Sequence, residues 1–298
     1  MKKVLVIAGP TASGKSGFAV EAAQMLGGEI ISGDSIQVYR GMDIGSGKVT
    51  EQETKGIPHH LIDILDINEP YSVSHFQQMA RQKIDEIAFP IIAGGTGLYL
   101  KACLYDYVFP PEGQRVPHPE FEALRNEELH ARLREVDPKS AEQIHPNNRQ
   151  RIIRALSIAA ENGKAKSEIE AEQKHAPVYD FFIAGCTMER AQLYARINAR
   201  VEQMFEDGLE EEVRGILSRG YTFEDPGMKG IGYREFEPYF RGECGLDTVK
   251  SDIQKHSRNY AKRQYTWLNH QMPVHWFQVL EEADRKRILQ EIREWKEC

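Results

Sequence analysis

Residues 9–16 read Gly9-Pro10-Thr11-Ala12-Ser13-Gly14-Lys15-Ser16, which fits the pattern GxxxxGK[ST] in full. Residues of these types at this spacing suit one kind of chemistry. The backbone N–H groups of such a loop converge on an anion, and the dipole of the helix that follows adds to their pull. Lys15 supplies a point charge, and the Ser16 hydroxyl suits Mg²⁺. The context is the one the loop requires, since an apolar strand candidate, Lys3–Ala8, precedes it and a helix is expected over 14–26. Gly9, Thr11, Ala12, Ser13, Gly14, Lys15 and Ser16 are therefore read as a phosphate cradle. A nucleotide triphosphatase would add an aliphatic strand ending in Asp. The best match here, 90–93, runs into Gly94-Gly95-Thr96 with no carboxylate. The reading is a loop that holds a diphosphate without hydrolysing ATP.

Two more polar groups stand just after strand candidates. Asp34 follows Glu29–Ser32, and Thr96 follows 90–93. The carboxyl ends of parallel strands meet in one crevice, so both should face the cradle. Alone, Asp34 would suit a helix N-cap and Thr96 a turn; their convergence on a phosphate loop favours function.

The elements that must position these groups alternate strand and helix through the first hundred residues. Residues 58–63 form a short apolar run after a loop. Residues 73–87 have helical spacing, with Phe76, Met79, Ala80, Ile84 and Ile87 on one side. The rhythm predicts an α/β fold, a phosphate-loop parallel sheet flanked by helices. Prolines at 110, 111, 117 and 119 read as a linker, and 119–174 is helical in pattern with no strand candidate. The expected organisation is a core from 1–115, an inserted all-helical domain over 116–176 closed by Pro177, and core completion with C-terminal helices over 177–298. Asp180–Thr187 returns to a strand, Thr187 could cap the long helix after it, and 274–277 is a late strand candidate.

Composition narrows the class. A chain of 298 residues, 41% hydrophobic, is globular in one large or two ordinary domains, and has no apolar run near the roughly 20 residues of a membrane helix. The apolar N-terminal run is too short for an export signal, so a cytoplasmic location is expected. Cys103, Cys186, Cys244 and Cys298 form no CxxC pair and are read as free thiols. The net charge of −7 argues against bulk attraction to nucleic acid but leaves room for local basic stripes. One such stripe is Lys255, Arg258, Lys262 and Arg263, with Tyr260, Tyr265 and Trp267 interleaved; Arg149, Arg151 and Arg154 form a second. The two are expected to flank one crevice, the cations meeting phosphates and the aromatics stacking on splayed bases. His59 and His60 lack a matching partner and are read as structural. The Glu-rich stretches 206–212 and 281–297 are read as exposed helix faces without function.

The sequence resembles the tRNA dimethylallyltransferase (isopentenyltransferase) family. The resemblance lies in the phosphate loop and in Asp34-Ser35-Ile36-Gln37-Val38-Tyr39, Asp43-Ile44-Gly45, Pro58-His59-His60-Leu61-Ile62-Asp63 and Gly94-Gly95-Thr96-Gly97-Leu98-Tyr99. It continues through His145-Pro146-Asn147-Asn148, Gln150-Arg151-Ile152-Ile153-Arg154, Gly230-Ile231-Gly232-Tyr233-Arg234 and Tyr260-Ala261-Lys262-Arg263-Gln264-Tyr265-Thr266-Trp267. These motifs follow the family's order along most of the chain. The stretches between Ile87 and Pro90 and between Pro119 and Leu129 are shorter than is usual, so an arginine contact beside the RNA is not carried over.

The resemblance implies transfer of a dimethylallyl group from dimethylallyl diphosphate to N6 of the adenosine 3′-adjacent to the anticodon, with Mg²⁺. By resemblance Asp34 is the acid–base residue on N6, Thr96 contacts the same nucleotide, and Ser35, Ile36 and Gln37 line the base pocket. Lys15 and Arg234 would answer charge on the leaving diphosphate, although Arg234 could instead pair with Glu235 or Glu237. The tRNA anticodon stem-loop would further meet Gln150, Arg151, Arg154, Gly232, Tyr233, Lys262, Arg263, Gln264 and Trp267. A monomer suffices for one anticodon arm. Two other readings share these residues: a small-molecule or nucleoside kinase with Asp34 as base and the inserted domain as lid, and a non-catalytic RNA-binding module with a vestigial loop.

Overall fold

The computed structural model describes residues 1–109 and 118–298. Two compact units emerge, one from Met1–Tyr105 with Val178–Cys298 and the other from Asp106–Pro177. The boundary expected at 115/116 and the prolines at 110, 111 and 117 lie outside the described residues.

The first unit is built on six parallel strands: β1 Lys3–Ala8, β2 Glu29–Ser32, β3 His59–His60, β4 Pro90–Gly94, β5 Asp180–Thr187 and β6 His275–Gln278. Their order is β3-β2-β4-β1-β5-β6. β1 is central and reads as a continuous apolar run because both of its faces are covered. Leu5 and Ile7 pack with Phe18, Ala22 and Ala23 of the Lys15–Leu26 helix and with Ile288 and Ile292 near the C-terminus. Val4, Val6 and Ala8 point the other way, onto Phe76, Ala80 and Ile84 of the Val73–Glu86 helix. The alternation along one strand thus fills two cores.

Register matters more than strand count for the site. Ala8 pairs with Gly94 on one side of β4, and Ser32 pairs with Ala93 on the other. The carboxyl ends of β2, β4 and β1 therefore lie side by side, and the groups that follow them share one crevice.

Several boundaries differ from those read in the sequence. The 58–63 run pairs only over β3, because Leu61 and Asp63 adopt left-handed backbone (φ 61° and 56°) that no strand continues. Thr187 does not cap a helix; it ends β5, and the next helix, Arg190–Glu206, starts after Glu189. In the Val73–Glu86 helix the buried side includes Gln77, whose amide donates to the Ala102 carbonyl at 2.7 Å, while Met79 is only half-buried. His59 and His60 make hydrogen bonds, to the Ile57 carbonyl (2.8 Å) and the Glu29 carboxylate (2.6 Å). Among the described residues no helix is long and apolar enough to cross a membrane.

The second unit is all helical among its described residues. Phe121, Leu129, Leu133, Ile152 and Leu156 make its core. Asp137 is fully buried beside them and caps the Pro138–Gln143 helix. Its carboxylate accepts from the Ser140 amide (3.0 Å), the Ser167 amide (3.0 Å) and the Ser167 hydroxyl (2.6 Å). Burial alone would raise its pKa, but the hydrogen bonds from Ser140 and Ser167 outweigh burial and hold it down at about 2. A carboxyl depressed in the folded state stabilises above its unfolded pKa, and that stability is lost as pH falls through the folded value. Hydrogen exchange across residues 126–171 of the full chain should therefore accelerate between about pH 4 and pH 2. Asp137→Ala should weaken the same segment by about 1–3 kcal/mol at neutral pH and remove that acid step.

Candidate active site

The phosphate loop leaves β1 through backbone that few residues tolerate. Gly9 has φ +151°, and a Cβ there would lie 2.8 Å from both the Cys186 carbonyl and the Ser13 hydroxyl. Ala12 is held at φ 62°, a left-handed conformation costing about 1–3 kcal/mol for a residue with a side chain. Two long-range contacts hold it. Arg196 Nε donates to the Ala12 carbonyl (3.1 Å), and the Thr11 amide donates to Gln264 Oε1 (2.9 Å). Ser13 N donates to Pro10 O (3.3 Å), and the buried Ser13 hydroxyl has no partner among the described residues. The amides of Gly14, Lys15 and Ser16 have no protein acceptor among the described residues. They are the open N–H groups that begin the Lys15–Leu26 helix and are free to meet an anion.

Lys15 Nζ lies 3.3 Å from the Pro10 carbonyl. Burial lowers its pKa, the Asp34 carboxylate raises it, and Arg200 lowers it again. Arg200 is desolvated too and is likewise drawn back by Asp34. It donates to the Gly47 carbonyl at 3.0 Å. Arg196 and Arg200 stand four residues apart on the Arg190–Glu206 helix, so one helix face delivers Arg196 to the phosphate loop and Arg200 to Gly47 beside it. Neither was singled out in the sequence. The available signal was their i, i+4 spacing beside the apolar positions Ile197 and Val201.

Asp34 follows β2. Its Oδ1 accepts from the amides of Ile36 (2.8 Å) and Gln37 (3.3 Å), a turn-forming role close to the capping role considered above. Its Oδ2 has no hydrogen bond among the described residues. Asp34, Ser35 and Ile36 line a cavity of about 460 Å³ with Gly232, Arg234, Tyr260 and Arg263. Lys15 and Ser16 line a neighbouring crevice of about 1100 Å³. Ala12 and Arg200 belong to both walls, so the two spaces adjoin at the loop. Thr96 begins the Gly97–Leu104 helix, and its hydroxyl lies 3.5 Å from that of Tyr260. A Cβ on the preceding Gly95 would come within 2.6 Å of the Gly9 carbonyl, a measure of how closely β4 and the loop approach.

Other expected site residues turn inward, contrary to the expectation from sequence. Gln37 does not offer its carboxamide to a base: Nε2 donates to the Gly47 carbonyl (3.2 Å), and Oε1 accepts from Ser32 (3.1 Å). Tyr233 is fully buried, so it presents no surface to RNA. Its hydroxyl donates to Glu212 (2.7 Å) and accepts from the Ser46 amide (3.1 Å). Gln264 is buried against the loop rather than facing outward. Tyr265 stacks on Trp276 with ring centroids 4.8 Å apart. Arg149 donates to the carbonyls of Phe121, Glu122 and Leu124 and so staples its own unit. Glu212, in a stretch read as functionless, accepts from the amides of Asp43, Ile44 and Gly45 and shapes the loop beside Arg200.

Other expected cations stay exposed, although Arg258 is bonded to Asn198. Lys262 and Arg263 are exposed on the Leu246–Gln271 helix, with Arg263 over the Tyr260 ring, while half-buried Trp267 fills the space that a side chain at Gly97 would need. Arg234 lines the Asp34 cavity and is also paired with Glu235 at 3.0 Å. In the second unit Gln150, Arg151 and Arg154 are exposed on the Arg149–Asn162 helix.

These features are those of a phosphate-loop α/β protein whose crevice beside the loop carries Lys15, Arg196 and Arg200 together with the carboxylates of Asp43, Glu53, Asp63 and Asp207. The model of the IPP transferase family matches residues 37–271. A tRNA dimethylallyltransferase of Anoxybacillus flavithermus is 45% identical over 98% of this chain and 95% of its own length, and one of Enterococcus faecalis is 43% identical over 99% and 98%. A solved tRNA delta(2)-isopentenylpyrophosphate transferase of Staphylococcus epidermidis matches with a TM-score of 0.73 at 40% identity, covering 99% of this chain and 98% of that one. The chain belongs to the IPP transferase family.

Arg200→Ala should weaken inorganic diphosphate binding by about 10- to 100-fold in titration calorimetry, the worth of one charge-assisted contact of 1.5–3 kcal/mol. An unchanged affinity would place the anion away from this helix face.

Proposed function

We propose that this chain transfers a dimethylallyl group from dimethylallyl diphosphate to N6 of the adenosine 3′-adjacent to the anticodon of tRNA, acting as a cytoplasmic monomer. The observation that carries the reading is one carboxylate, Asp34, lining a cavity that adjoins a desolvated cationic cradle. Family membership supports the substrate pair, since the relatives are named for tRNA and for the dimethylallyl group. None of these named relatives is a kinase.

The adenine N6 is a poor nucleophile because its lone pair is delocalised into the ring. A carboxylate that accepts the N6–H bond keeps electron density on nitrogen while the N6–C bond forms, and then takes the proton. Asp34 meets that need with the oxygen its own turn leaves free. As the allylic C–O bond breaks, negative charge gathers on the diphosphate. The Gly14, Lys15 and Ser16 amides, the Lys15 ammonium, Arg200 and Arg234 are arranged to stabilise it, and such fixed electrostatics usually give the largest share of the acceleration. Thr96 would steady the target nucleotide beside Asp34.

Mg²⁺ suits the donor set in one way. Among the described residues no cluster of three His, Cys, Asp or Glu could hold a metal. The exposed Ser16 hydroxyl at the helix start offers one hard oxygen, and the diphosphate would supply others. When bound, the ion neutralises charge on the leaving group.

The base must leave its stack to reach Asp34, which costs a few kcal/mol and is easiest in an unpaired loop. Lys262, Arg263, Arg151 and Arg154 are the exposed cations we assign to tRNA phosphates, with Trp267 as an aromatic contact.

Incubation with tRNA, Mg²⁺ and dimethylallyl diphosphate should add one five-carbon unit to adenosine by mass spectrometry. Asp34→Ala should lower kcat by about 10²–10⁴-fold while tRNA affinity stays within a few-fold. An unaltered rate would favour the RNA-binding module with a vestigial loop. Log Kd for tRNA should rise linearly with log salt concentration, and Arg263→Ala should reduce that slope by about one.

A further inference from the structure

Glu235 is the only buried acidic residue among the described residues of the first unit, its side chain 3% exposed. A carboxylate in that position needs compensating donors. Three converge on it. Oε2 accepts from the Gly232 amide at 2.9 Å, and Oε1 accepts from Arg234 Nε at 3.0 Å and from His256 Nδ1 at 2.8 Å. His256 comes from the Leu246–Gln271 helix, so the carboxylate ties the 230–236 turn to that helix.

The arrangement has a direction. Arg234 is held through Nε, and its Nη nitrogens have no hydrogen-bond partner among the described residues. Its side chain is 46% exposed and lines the cavity that Asp34 lines. A guanidinium gripped on one edge keeps its other donors for a second, bidentate partner such as a phosphate. The same carboxylate fixes Gly232, another residue of that wall. Gly232 sits at φ +100°, with its ideal Cβ position only 2.9 Å from the Gly45 carbonyl. Burying an ion pair is weak support for stability, because desolvation offsets most of the attraction. What this pair does secure is the placement of a guanidinium.

We propose that Glu235 is a positioning residue of the transfer reaction, holding Arg234 by Nε so that its Nη pair meets the phosphates of the departing diphosphate. This rests on the prenyl-transfer reading above. The test is a double-mutant cycle on the full chain with dimethylallyl diphosphate and an anticodon stem-loop RNA. Glu235→Ala should lower kcat by about 10- to 100-fold with KM for RNA near its original value. Glu235→Gln, which keeps one acceptor oxygen, should recover part of the loss. In an Arg234→Ala background, Glu235→Ala should cost several-fold less than it does in the parent, because the guanidinium it positions is gone and only its hold on Gly232 is lost. If Glu235→Ala melts below the assay temperature, His256→Ala replaces it in the cycle, with the same coupling expected. Equal losses with and without Arg234, or an Arg234→Ala variant as fast as the parent, would overturn the inference and leave prenyl transfer standing. A parent enzyme that adds no five-carbon unit would remove both.

Discussion

Two desolvated cations drawn toward Asp34 set the terms for this molecule. Lys15 and Arg200 are each penalised by burial and each pulled back toward the charged state by Asp34. Asp34 is the stronger pull on Arg200, to which Glu53 adds, and Asp34 is committed through Oδ1 to its own turn. The imbalance is what an anion with more than one charge relieves, and the open amides at the start of the Lys15–Leu26 helix face the same need. The strand order creates the situation. With β4 between β2 and β1, the residue after each strand end is delivered to one place.

Much of the remaining polar machinery acts by holding that place still. Gln264 anchors the loop from a residue 253 positions away, Arg196 holds it at Ala12, and Glu212 gathers three consecutive amides of the 43–45 segment. Tyr233 connects that carboxylate to Ser46. These are side chains whose types suggest ligand contact. Their geometry makes them supports, which is how a site keeps donors within tenths of an ångström of where charge develops.

The sheet was legible because buried parallel strands are written as short apolar runs bounded by turns, so β1, β2 and β5 match their sequence limits. β3 was less so, since left-handed backbone at Leu61 and Asp63 ends it and hydropathy carries no record of φ. The placement of the 9–16 loop and of Asp34 at strand ends was legible because its signals are local: a fixed spacing, or a polar group just after a strand. Arg196, Arg200 and Glu212 were not, because their partners are remote in sequence and each looks like any charge on a helix. Tyr233, Gln37 and Gln264 failed in the opposite sense. Residue type suggested an outward role, and only the packing of distant segments shows that their polar atoms are already bonded. A cationic stripe read from the Leu246–Gln271 helix likewise mixes Lys262 and Arg263, which are exposed, with Arg258, which is bonded to Asn198 at 2.5 Å.

Transfer requires the diphosphate and the target amine to be held at once on opposite sides of the reacting carbon. A crystal structure with a non-hydrolysable thio analogue of dimethylallyl diphosphate and an anticodon stem-loop tests this directly. Diphosphate oxygens are expected on the amides of residues 14–16, with the purine N6 within about 3.2 Å of Asp34 Oδ2. A purine amine bonded elsewhere, or a diphosphate seated away from those amides, would contradict it.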